Sequence, residues 1–192
     1  MRQSHRAGEK VFVDYSGKKL QLVDLQTGEL RPVELFVGVL GASGLIYAEA
    51  SPDQSLANWV DCHRHRLEYF GGVPKVFVPD QLRSAVATPC RYEPEVNRTY
   101  QALARHYGAV VLPARARKPK DKAKAEAGAL IAQRWILAVL RDQQFFTLAV
   151  LNAAIRDQIN RINHRPMTRL GKAGVKFEAQ HDPELVGYVV LR

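Results

Sequence analysis

An α/β fold with one mixed sheet and helices on both faces is predicted by three features of this 192-residue chain. Apolar residues keep period two through the first third, period 3.6 takes over after Asp53, and the later strand-like runs are separated by helical segments instead of tight turns. Strands that follow one another through turns pair antiparallel, whereas strands joined through helices pair parallel, so both pairings are expected in one sheet.

The elements follow in order. "KVFVDYSGKKLQLVD", "RPVELFVGVLG" and "LIYAEAS" read as an antiparallel meander, with Val11, Val13, Leu20, Leu22, Leu35, Val37 and Val39 in alternation and reversals at Thr27-Gly28 and Gly41-Ala42-Ser43-Gly44. Leu56, Trp59, Val60, His63, Leu67 and Phe70 mark one face of a helix that Gly71-Gly72 ends. "VPKVFVP" is a short buried strand. A second helix is expected from Glu93 to His106, with Val96, Tyr100, Leu103 and Tyr107 as its apolar face, and "AVVLP" gives a fifth strand. A long helix from about Lys120 to Leu140 and another from Leu148 to Ile162 complete the order, before a loop-rich tail.

Composition narrows the classes. The chain is 46% hydrophobic and 24% charged, enough for a real core. No apolar run approaches a membrane span and the polar start lacks a secretory signal, so a cytosolic address is expected. Cys62 and Cys90 stand outside any C-x-x-C spacing and read as plain thiols.

Charge is concentrated. Of the net +9, the stretch 115 to 124 supplies +5, through Arg115, Arg117, Lys118, Lys120, Lys122 and Lys124 against Asp121. A solvated face explains such a block as well as a polyanion does, but clustered cations are rewarded by phosphates through counterion release. The lysines also crowd a helix start, where they oppose the macrodipole and an anionic partner would compensate.

Three carboxylates then raise a question of chemistry. Asp14 interrupts an apolar strand, Asp80 directly follows the strand "KVFVP", and Glu126 heads the stripe Leu130, Gln133 and Leu137. Singly, each has a stronger plain reading: an edge position or arginine partner, a turn or helix N-cap, and a weak surface pair with Lys122. Jointly they converge on one sheet edge in a ribonuclease H-like topology. Carboxylates gathered so closely need cations, and a pair of Mg²⁺ ions about 4 Å apart suits an in-line phosphoryl displacement.

The segments "VFVDYSG", "ELFVGVLGAS", "YFGGVPKVFVPDQLRSAV", "CRYEPEVNRTYQALARHYG", "LPARARKPKDKAKAE" and "NHRPMTRLGKAGVKFE" resemble the DDE transposases and retroviral-type integrases, and more closely the IstA-type insertion-sequence transposases. The resemblance runs from about Gly8 to Phe177. It implies a ribonuclease H-like five-stranded catalytic core over 8–144, a closing helix and loop over 145–177, and a tail or start of a following domain over 178–192. It also implies Asp14, Asp80 and Glu126 as the triad that binds Mg²⁺, with Mn²⁺ as a substitute. DNA would be cleaved at transposon ends and the 3′ ends joined to target DNA. Self-association in a synaptic complex and an AAA+ ATPase helper are further implications; the chain itself has no G-x-x-x-x-G-K-[ST] loop. Relatives carry a helix-turn-helix region upstream and a further domain downstream, so an excised core is expected. One departure is Gln81, where the family pattern has Asn.

Other signals carry less. Gly38, Gly41 and Gly44 precede a strand, unlike a phosphate loop; Cys62, His63 and His65 lack a second metal-binding pair; Ser84 and His106 have no triad spacing. Two rivals remain: a DNA-binding or assembly module of the same fold without chemistry, and a ribonuclease acting on hybrids.

Overall fold

The computed structural model describes residues 6–79, 86–88, 95–113, 130–131 and 133–164. A six-stranded sheet forms its centre. Strands β1 (Lys10–Tyr15) and β2 (Leu20–Val23) both pair antiparallel with the long β3 (Leu30–Leu40), whose far edge holds β4 (Ile46–Ser51). Beyond β1 lie β5 (Val76–Pro79) and β8 (Val110–Val111), each parallel to its neighbour. A separate ribbon pairs β6 (Val86–Thr88) with β7 (Glu95–Val96).

The expected meander with added parallel strands is therefore present, with one refinement. "KVFVDYSGKKLQLVD" is two strands, because Tyr15 opposes Phe36 while Leu20 opposes Val33, so residues 16–19 bulge against only 34 and 35. Counted as one interrupted strand, β1 and β2 give the expected five. The second helix is shorter than expected. Its N-cap is Asn97, which accepts the Thr99 N–H at 2.9 Å, so α2 runs Arg98–His106 and Val96 belongs to β7.

Sheet alternation separates two cores. Val11, Val13, Tyr15, Phe36 and Tyr47 face α1 (Leu56–Phe70) and α2. Leu35, Val37, Val39, Ile46 and Ala48 face α4 (Leu148–Asn163) and the stretch before it. That stretch is a π-helical turn, Gln133–Leu137, followed by the short α3, Ala138–Leu140.

The caps explain the helix limits. Ser55 accepts the Asn58 N–H and Gly71, at φ +68, supplies the left-handed residue that closes α1. Thr147 caps α4 in the same way through the Val150 N–H.

Candidate catalytic site

Asp14 sits in β1, an interior strand flanked by β3 and β5, so an edge position does not account for it. Its cross-strand partner is Val37, which belongs to the core under α4, so Asp14 projects on that same face. The side chain is half-buried and its Oδ1 accepts the N–H of Tyr15 at 2.8 Å. The strand beside it, β5, runs parallel and ends at Pro79, opposite Val13. Two parallel neighbours thus finish together at the position where this topology gathers ligand groups.

Asp80 and Glu126 lie outside the described residues, as do Arg115, Arg117, Lys118, Lys120, Lys122 and Lys124. The described end of the helix expected to carry Glu126 does lie on Asp14's side of the sheet: Ile136 and Leu140 are buried with Val37 and Val39. The stripe expected there is corrected. Leu130 is 47% exposed, Leu137 packs partly buried against the core as expected, and Ile136 and Leu140 are the deepest residues of this stretch. A π turn adds one residue to the helical repeat, which rotates the following side chains and shifts the buried stripe.

Carboxylate oxygens are hard donors and suit a hard divalent ion such as Mg²⁺. Asp14 fits that role by residue type. Among the described residues no cluster of three or more His, Cys, Asp or Glu is arranged to hold a metal, and that includes Cys62, His63 and His65. Burial pushes the Cys62 thiol up, so it stays protonated. None of the described helices is long and apolar enough to cross a membrane.

No family model matches the chain. Over 170 residues it is 48% identical to a Pseudomonas fluorescens protein named as a transposase for insertion sequence IS1162, covering 88% of this chain and 30% of that protein. A relative named for insertion sequence IS408 of Burkholderia multivorans is 44% identical over 186 residues, 96% of this chain and 36% of its own. The chain is a relative of the insertion-sequence transposases. It spans about a third of their length.

Solved structures agree on the fold of this transposase relative. The catalytic core domain of BIV integrase matches with a TM-score of 0.64 at 13% identity, over 95% of this chain and 99% of that one. The HTLV-2 integrase catalytic core domain in complex with magnesium gives 0.63 at 13%, over 91% and 97%. At such identity the likeness carries the fold alone, which is ribonuclease H-like.

One polar cluster of the transposase relative is not legible in its sequence. Arg66 of α1 is fully buried, 3.0 Å from His63 Nδ1 and with its guanidinium carbon 4.7 Å from the Phe77 ring centre. Arginine can only donate, so His63 Nδ1 accepts and its Nε2 carries the proton. That Nε2, Arg66 Nε and Nη1, Trp59 Nε1 and the Tyr100 hydroxyl are buried with no hydrogen-bond partner among the described residues. Burial, then the Arg66 charge, hold His63 well below its ordinary range, and burial lowers Arg66 to about 10. Gly38 makes the room: a Cβ there would stand 2.7 Å from Arg66 Cδ. Within "HRHRLEYF" periodicity marks His63, Leu67 and Phe70 as inward and gives no sign that Arg66 is buried with them.

Proposed function

We propose that this chain is the catalytic core of a transposase of the IstA-type group, which cleaves DNA at the ends of a mobile element and joins the 3′ ends to target DNA. The observation that carries the reading is Asp14 on an interior strand, beside the carboxyl end of its parallel neighbour β5. Asp80 is bonded directly to Pro79, the last residue of that neighbour.

In this reading Asp14, Asp80 and Glu126 would hold divalent cations. When bound, such ions neutralise the clustered carboxylates and the charge that develops on the attacking and leaving oxygens. The rest falls to the chain's own groups. The rigid pairing of β1 with β3 and β5 keeps the Asp14 carboxylate fixed relative to the sheet, so orientation precedes substrate. Lys118, Lys120, Lys122, Lys124, Arg115 and Arg117 would grip phosphates without reading bases. Water attacks the phosphodiester first and the freed 3′-hydroxyl attacks the target next. Action within a self-associated synaptic complex, with an AAA+ ATPase helper, belongs to the same proposal.

The test joins pre-cut element ends to target DNA with the full-length parent and Mg²⁺. Asp14→Asn should lower joining by at least about 10²-fold. Mn²⁺ should broaden the NMR signals around Asp14 in the wild type and leave them sharp in the variant. Joining that survives the substitution defeats the proposal; absent Mn²⁺ broadening with retained DNA binding favours an assembly module instead.

A further inference from the structure

We infer that the groove between β2 and the π-helical turn is a docking site for an acidic, leucine-bearing peptide segment of a partner protein. The groove has a volume of about 760 Å³. Among its described lining residues four are cations, Lys18, Lys19, Arg134 and Arg141, and none is an acid. Lys19 pairs with Glu34 at 2.6 Å and Arg141 with its neighbour Asp142 at 3.2 Å. The described structure gives Lys18 and Arg134 no ion pair, so their charge is available to an incoming carboxylate.

Between the cations the lining is apolar. Leu20, Leu137 and Leu140 form the floor, while Leu30 at 58% and Leu130 at 47% exposure stand at its margins. Phosphates gain nothing from leucine, so a nucleic acid backbone would use only the rim. A segment bearing both carboxylates and branched apolar side chains uses rim and floor together. A second copy of this chain fits poorly, since it brings a net charge of +9 to a cationic rim.

Main-chain geometry favours an extended occupant. The Val23 N–H donates to the Phe145 carbonyl at 2.8 Å, which closes one end of the groove and shows that Val23 turns its main-chain groups away from β3. By the two-residue period Gln21 does the same, toward the groove. It lies opposite Pro32, which has no N–H to offer, so nothing is lost on the β3 side. An added strand would find the Gln21 amide and carbonyl ready.

This docking site makes no use of Asp14 or of DNA, so the experiment stands apart from catalysis. Fluorescence anisotropy with the full chain compares a labelled peptide of alternating Glu and Leu with a Glu/Ser peptide of equal charge, and with a single-stranded oligonucleotide of equal charge. The Glu/Leu peptide should bind at least about tenfold more tightly than either. Arg134→Glu and Leu130→Ser, both at exposed positions and each checked by thermal melting, should each weaken it by about tenfold. Equal binding of the Glu/Ser peptide, or tighter Arg134-dependent binding of the oligonucleotide, overturns the proposal in favour of a plain polyanion surface. Conversion of a dimer to a monomer by Arg134→Glu, read by sedimentation, assigns the groove to a second copy and overturns it equally.

Discussion

Arg66 and Gly38 show how one residue's identity depends on another far away in the chain. The arginine of α1 lies against the sheet where β3 offers no Cβ, with its guanidinium over Phe77. Gly38→Ala should cost about 1–3 kcal/mol in urea denaturation, because a fully buried side chain cannot swing aside. In an Arg66→Met background the same change should cost measurably less, which a double-mutant cycle reads directly. His63 adds a pH dependence of known sign. Its folded pKa is depressed, so its contribution to stability is complete above the unfolded value of about 6.5 and is lost as pH falls below it. Relative to wild type, His63→Gln should flatten the stability profile between about pH 6.5 and 5, by up to about 1.4 kcal/mol per pH unit. Equal slopes in the two proteins would show that His63 takes up its proton as readily in the fold as in the unfolded chain. Helical periodicity placed His63 on the inward face of α1, where it is buried; it gave no sign that Arg66 lies there too.

Elements matter most at the sheet edge. Among the described strands β4 pairs with β3 alone, which leaves one side of its backbone to be satisfied. Two asparagines of α4 do this. Asn163 accepts the Ile46 N–H at 3.0 Å and donates to the Ile46 carbonyl at 2.7 Å, and Asn152 makes the same pair with Ala50 at 2.7 and 3.0 Å. Helix and edge strand are thereby fixed in register. Replacing the fully buried Asn163 by Ala strands both Ile46 groups, and denaturation should report a loss of about 1–3 kcal/mol. A loss below about 0.5 kcal/mol would mean that water replaces the amide. Helical periodicity found α4 almost to the residue, since Leu151, Ile155, Ile159 and Ile162 form its buried stripe. The asparagines were invisible because a polar residue in an amphipathic helix reads as solvent-facing until its partner strand is known.

At the scale of the whole molecule, the sheet separates a core under α1 and α2 from one under α4, and Asp14 projects on the latter face. The +9 charge concerns association more than folding. Lys120→Ala should weaken DNA binding alike for all sequences and reduce the slope of log affinity against log salt by about one unit. A change in sequence preference would instead mean that Lys120 reads bases.

Order along the chain and local periodicity by themselves determined the fold class. Alternation, glycine reversals and helical stripes are short-range signals, and they were enough for a meander followed by crossover strands. Tertiary structure alone decided which polar groups go inside and where each face turns. Arg66, the two asparagine clamps and the cationic groove all arise where segments distant in sequence meet, and a desolvated charge or a satisfied backbone edge has no local signature.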